Sequence, residues 1–319
     1  MKFTLYILFL SIVSYAQQNG QSSLYFFNQS FYNSAYISID EGVSFVATGR
    51  NQWVNFKGAP KTTNLTVYSS FAKSAAGGLS VQIDQLGATR TSSFYGNFSY
   101  KIKFRKKTNL YAIRVIGMPQ KEKQFNYLSF GLSFGVNNYQ TFFIYLWVND
   151  NTEADFIQGA NYSQFTPNVG AAVLYYNNRL FLGTSVPTLL KNKLSSTISQ
   201  FATEKRHLYV VAGVLKELNN GVIVRPSCVI KVVENAPVLP ELGLSFLFDN
   251  KLWIGALVRG KVAVGAHLIY TTKSNLRIGY AYDHMLNSIQ RFSVGSHEVM
   301  ISYNVNKAKK RSLVFCPKF

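Results

Sequence analysis

Acidic side chains are scarce in this chain, with 14 Asp and Glu against 33 Lys and Arg and a net charge of +19. Charged residues of both signs make up 15% of it, below the roughly 25% usual in a soluble domain. Histidine is rarer still. His207, His267, His284 and His297 are widely scattered, and none stands at metal-ligand spacing to another His, Cys or carboxylate. The sequence also lacks a strained nucleophile elbow and a Gly-rich phosphate loop. No catalytic residue, cofactor or metal is therefore expected. A lipid hydrolase would need a Ser/His pair converging at one rim. The two cysteines, Cys228 and Cys316, are too few for a disulfide framework. Cys228 shares parity with the apolar Val222, Val224 and Ile230, and Cys316 lies in a basic tail, so two separate thiols are expected. Beyond the first residues, no apolar run reaches the roughly 20 residues that a spanning helix needs.

The chain has instead an export signal followed by repeated alternation. Lys2, the apolar core Phe3 to Val13, and the small Ser14 and Ala16 predict a cleaved signal peptide over residues 1–16. From Phe94 to Phe104, Phe94, Gly96, Phe98, Tyr100, Ile102 and Phe104 fall on one parity. Tyr95, Asn97, Ser99, Lys101 and Lys103 fall on the other. A strand sends successive side chains to opposite faces, so this segment has one greasy face and one wet face. Aromatics make up 15% of the chain, as the interfacial girdles of a membrane barrel require.

Similar segments recur at 42–50, 63–72, 75–84, 89–104, 127–137, 168–176, 180–186, 206–216, 222–234, 241–248, 252–259, 261–271, 276–284 and 296–305. Fourteen is an even number, as a closed antiparallel barrel with both ends on one side requires. Starting from a periplasmic N-terminus, several even-to-odd turns are tight: Ala72-Lys73-Ser74, Asn177-Asn178-Arg179, Glu217 to Gly221, Asp249-Asn250-Lys251 and Thr272 to Asn275. The opposite connections include the long ones, Asn51 to Thr62, Asn138 to Pro167, Pro187 to Lys205 and Met285 to Gly295. Arg105 to Asn126 is too long for a turn and reads as an insertion, although Asn109 to Val115 could form a strand.

The expected architecture is all-β, a transmembrane antiparallel β-barrel of about 14 strands in the bacterial outer membrane. It divides into a signal peptide (1–16), an N-terminal periplasmic or lumenal segment (17–40), the barrel (41–305) and a basic C-terminal tail (306–319). The tail reads equally as a periplasmic extension or a disordered end. A β-sandwich or soluble barrel is the alternative, and the signal, low charge and aromatic load disfavour it.

Removing residues 1–16, which hold one base, Lys2, leaves 32 basic residues against 14 acidic. A nucleic-acid partner would call for a basic stripe on a soluble fold. Here Lys101, Lys103, Arg225, Lys231 and Arg277 sit on the polar parity of strands. That placement predicts a basic lumen or rim facing anionic lipid or an acidic partner, and no nucleic acid.

Two stretches are richer than a generic wall requires. The first outer loop, Arg50 to Thr62, combines Trp53, Phe56 and a Gly58-Ala59-Pro60 turn. This composition suits a binding surface or a loop folded back as a lumenal plug. The other runs from Leu276 to Val305 and contains Arg277 to Asp283 and Gly295-Ser296-His297-Glu298-Val299. Its first task is to close the barrel.

These stretches resemble the PorP/SprF family of type IX secretion system membrane proteins, found in Bacteroidota. The family opens with an aromatic segment leading into Asn-Pro-Ala-Tyr. Here that region reads Ser23-Leu24-Tyr25-Phe26-Phe27-Asn28, then Asn33-Ser34-Ala35-Tyr36, with Ser34 in place of the proline. Gln52-Trp53, Gly58-Ala59-Pro60, Pro226-Ser227 with Lys231, Leu276 to Asp283, Gly295 to Glu298 and Cys316-Pro317 follow in order. The resemblance implies a fourteen-stranded outer-membrane barrel without enzymatic activity. It would help export or anchor a secreted surface protein, such as a gliding adhesin, through loops, lumen or periplasmic rim. The implied partners are outer-membrane lipid, a secreted cargo protein or its C-terminal domain, and other type IX components. Candidate partner-binding residues are Trp53, Phe56, Gly58, Ala59 and Pro60, with Asn33, Ala35 and Tyr36 from the N-terminal motif. The competing function is a passive pore whose basic lumen favours anions.

Overall fold

The computed structural model describes residues 20–105, 125–142, 162–194, 202–218 and 220–305. Among these, fourteen strands form the wall. They are β1 (Val43–Asn51), β2 (Lys61–Ser70), β3 (Ala75–Leu86), β4 (Thr89–Arg105), β5 (Phe125–Thr141), β6 (Tyr162–Tyr176) and β7 (Leu180–Val186). After these come β8 (His207–Val214), β9 (Ile223–Val233), β10 (Leu239–Phe248), β11 (Leu252–Arg259), β12 (Ala263–Thr271), β13 (Leu276–Met285) and β14 (Ser296–Val305). A two-residue ribbon, Lys193–Leu194 against Ala202–Thr203, decorates the β7–β8 connection. Each strand pairs antiparallel with its neighbour in sequence. β14 returns to β1 with Val43 opposite Val305 and Asn51 opposite His297, and the barrel closes. Closure pairs the backbone groups that hydrocarbon could not satisfy.

All fourteen expected strands are present. The largest differences fall on β5 and β6, expected at 127–137 and 168–176 but running over Phe125–Thr141 and Tyr162–Tyr176. The expected signal peptide, most of the 105–126 insertion, the basic tail and Cys316 lie outside the described residues. Cys228 is a free thiol. The tight turns use left-handed backbone where Asp and Asn tolerate it: Asp249 and Asn250 have φ of 50° and 54°, and Asn275 has φ of 65°.

The outer face follows the sequence parity. On β4, Phe94, Phe98, Tyr100, Ile102 and Phe104 are between 41% and 49% exposed, whereas Ser93 and Ser99 point inward and are buried. Equivalent outward residues include Leu132 and Phe134 on β5 and Ile278 and Tyr280 on β13. In water this apolar band would be a large uncovered patch, and in a bilayer it is the solvated surface. The inner face is less uniform. Leu174, Phe181, Val211, Trp253 and Ile269 point inward and are buried. A core of this kind needs an apolar partner inside the barrel, and residues 20–40 supply it.

Candidate functional site: a strap through the lumen and the loops at its mouth

Residues 20–40 run through the barrel as a strap built from a 3-10 turn (Tyr25–Phe27), a short helix α1 (Gln29–Tyr32) and a second 3-10 turn (Ser34–Ser38). Nearly all of it is buried, with Leu24, Ala35 and Ile37 at 0% exposure. Gly20 lies against Thr62 and Asp84, at the end of the barrel that carries the long loops. At the opposite end, Asp40 accepts a hydrogen bond from the Tyr68 hydroxyl at 2.6 Å, just before β1 begins. The strap enters from the loop end and descends the lumen before the wall begins.

The upper part of the strap is held by ions. Arg50 on β1 reaches Asp283 on β13 at 2.6 Å and Glu298 on β14 at 3.1 Å. Arg259 on β11 reaches Glu241 on β10 at 2.7 Å and Asp283 at 3.2 Å. Ser23 sits at the centre. Its hydroxyl donates to Asp283 at 2.5 Å and accepts from Arg50 at 3.1 Å and Arg259 at 3.0 Å. Its backbone N–H donates to Glu298 at 2.7 Å, and the Ser22 hydroxyl donates to the other Glu298 oxygen at 2.6 Å. The two guanidinium groups and three carboxylates come from five strands and converge on two serines. A buried ionic group is tolerable only when its remaining valences are filled, and the serines fill several of them.

Below this cluster the grip is aromatic. The Arg225 side chain is fully buried, its guanidinium carbon 4.3 Å from the Phe27 ring centroid, 4.5 Å from Trp253 and 5.4 Å from Phe26. Its guanidinium donates to the Ser245 hydroxyl over a long 3.5 Å. The cation is thus stabilised mainly by ring faces. Phe26 meets Phe181 edge-on at 5.8 Å, and Tyr25 stacks on Tyr209 at 5.9 Å.

The foot of the strap is held by hydroxyls. The Ala35 carbonyl accepts from Ser99 at 3.2 Å and Ser129 at 2.8 Å, and Lys101 donates to the Ser38 carbonyl. The bend at Ser34 needs no proline, because the Asn33 side-chain oxygen accepts the Ala35 N–H at 3.0 Å and caps the turn. Gly131 faces this bend. A Cβ there would come within 2.1 Å of the Ala35 nitrogen, so the strap backbone occupies the space a side chain would fill.

The candidate residues from sequence therefore divide between two places. Asn33, Ala35 and Tyr36 are buried in the lumen within the strap. Trp53, Phe56, Gly58, Ala59 and Pro60 form a compact loop at the mouth between β1 and β2. Within that loop Trp53 and Phe56 rings meet edge-on at 6.4 Å, the Ala59 N–H donates to the Phe56 carbonyl at 3.1 Å, and the Gln52 N–H donates to the Pro60 carbonyl at 2.9 Å. Gly58 has φ of 79°, in the left-handed region that glycine favours. The loop is tied to the β13–β14 connection through Val54 N–H to the Gly295 carbonyl at 2.8 Å and Trp53 N–H to the Ser296 hydroxyl at 3.2 Å. The reading of this loop as the lumenal plug is not met, since the strap takes that role. Elsewhere on the rim Lys191 lies 2.7 Å from Glu234, and its hydrogen bond holds that exposed carboxyl below its ordinary range. Such a pair contributes little to stability.

The family model for "Type IX secretion system membrane protein PorP/SprF" matches residues 14–303. The chain belongs to the PorP/SprF family. No curated protein matches it. Among solved structures it is similar to the Acinetobacter baumannii outer membrane protein Omp33, at 8% identity and a TM-score of 0.40 over 84% of this chain and 100% of that one. A Pseudomonas aeruginosa FadL homologue gives 8% identity and a TM-score of 0.42 over 86% and 93% of the two chains. This PorP/SprF protein is a type IX secretion barrel of the outer membrane, with an apolar band outside and a strap within.

Sequence reading missed the ion cluster of this PorP/SprF barrel, although it singled out the stretches that hold Arg50, Asp283 and Glu298. A signal was available. Acidic residues are rare here, yet Glu241, Asp283 and Glu298 all fall on inward parities. A scarce charge placed repeatedly on one face marks a partner on that face.

Proposed function

We propose that this protein binds a secreted surface protein, or its C-terminal domain, at the outer mouth of the barrel and helps to export or anchor it. No covalent chemistry is involved. The observation that carries this reading is an apolar ridge on the loops. Phe56 is 43% exposed, Phe292 66% and Val294 55%, on two loops that Trp53 and Val54 bind together. Apolar side chains presented on a hydrogen-bonded platform suit a protein partner better than a solute. Other type IX components are the second class of partner, and outer-membrane lipid surrounds the wall. The occupied lumen supports contact at the loops. Two of the bases that would favour anions in an open pore are turned to other work: Arg225 is covered by rings, and Lys101 holds the strap.

Trp53→Ala is expected to weaken retention of the secreted partner at least tenfold in pull-downs of the solubilised protein. The barrel should still show its heat-shifted gel mobility. Normal secretion and tethering by this variant would remove the loop from the interface.

A further inference from the structure

A pocket opens beside the strap on the β3–β5 side of the lumen, with about 780 Å³ of empty volume that includes open solvent. Its chemistry runs against that of the chain. Asp84 and Glu204 line it and no Lys, Arg or His does so among the described residues, although bases outnumber acids 33 to 14 overall. Glu204 is 4% exposed, and its carboxylate accepts from the side-chain amides of Asn137 at 2.8 Å, Asn168 at 3.0 Å and Asn192 at 2.8 Å. These three donors are neutral, so they hold the negative charge in place without cancelling it. Asp84 accepts from the Thr62 hydroxyl, again a neutral donor. Lys231 interacts electrostatically with Asp84 but lines the neighbouring cavity, its ammonium 5.8 Å from the Tyr209 ring centroid. Four tyrosines, Tyr32, Tyr95, Tyr139 and Tyr209, also line it, with Phe31.

Fixed negative charge beside several aromatic rings is the chemistry that recognises a cation. A neutral saccharide would use the rings and amides but bring no positive charge to either carboxylate. We infer that this pocket takes an ammonium or guanidinium group, carried either on a Lys or Arg side chain of a polypeptide or on a free small cation. The inference is independent of the secretion role.

Calorimetric titration of the detergent-solubilised full chain tests it with four probes: a blocked Ala-Lys-Ala peptide, its Ala-Gln-Ala counterpart, spermidine and sucrose. At least one cationic probe is expected to bind ten times or more tightly than Ala-Gln-Ala and sucrose. Asp84→Asn should lower the affinity for that cation about tenfold, the effect of one charge-assisted contact. A preference for Ala-Lys-Ala over spermidine assigns the site to a polypeptide, and the reverse assigns it to a small cation. If Asp84→Asn does not assemble, Tyr95→Leu removes a ring without a charge and should weaken cation binding several-fold. Equal binding of charged and neutral probes, or unchanged cation affinity in the variant that assembles, overturns the proposal.

Discussion

Arg50→Ala is expected to release the strap while the wall stays closed. The Arg50 side chain is 3% exposed and holds Asp283, Glu298 and Ser23 together. Without it Glu298 loses its ion pair, and Asp283 keeps only Arg259. Removing one partner from a buried ion pair costs about 3–5 kcal/mol, because the remaining charge is left without compensation. The protein can relieve most of that cost by letting the strap move and water reach the carboxylates. The β1–β14 ladder uses backbone groups and does not depend on the side chain. Chymotrypsin should therefore cut the variant within Tyr25–Tyr36, which carries six aromatic residues that the native fold protects. Arg50→Lys should give intermediate protection, since an ammonium lacks the fork that spans two carboxylates. Equal protection of Arg50→Ala and the native protein, measured by mass spectrometry of the digests, would contradict this.

Gly131→Ala is the second large effect, and it acts through a single methyl group. The new Cβ would lie 2.1 Å from the Ala35 nitrogen and 2.4 Å from the Ser34 carbonyl carbon. Both are backbone atoms, so neither can swing aside. The wall strand itself accepts alanine, and the strain falls on the strap. Overpacking of this kind costs about 1–3 kcal/mol, and displacing the foot also loses the bonds from Ser99 and Ser129 to the Ala35 carbonyl. Planar-bilayer recordings should show higher conductance than the native barrel, whose lumen the strap fills. Unchanged conductance with unchanged protease protection would show that the foot has room to adjust.

The wall was legible in the sequence where one face meets lipid and the other meets water, as on β4. It was less legible on β7 and β8, where Phe181 and Val211 point inward to meet the strap and both faces read as apolar. The ends of β5 and β6 were missed for the opposite reason. Asn138, Gln140, Ser163 and Gln164 give both faces a polar character, which suggests a loop by pattern although these residues pair in register. The aromatic segment at residues 24–27 was visible as composition, but its destination was not. Its partners Phe181, Arg225 and Trp253 are about 150 to 230 residues away in sequence, and no local pattern reports a contact at that distance. The anchor was hidden likewise, because its five ionic side chains come from five strands. Each looks like an ordinary lumenal charge when read alone.

The occupied lumen can be tested by trapping it. Ser38 and Ser129 place their hydroxyl oxygens 2.8 Å apart, one on the strap and one on the wall. In a background carrying Cys228→Ser and Cys316→Ser, the pair Ser38→Cys and Ser129→Cys should form an intramolecular disulfide in intact outer membranes without added oxidant. If both thiols instead remain reduced and react freely with a maleimide while the barrel keeps its heat-shifted mobility, the strap does not occupy the lumen.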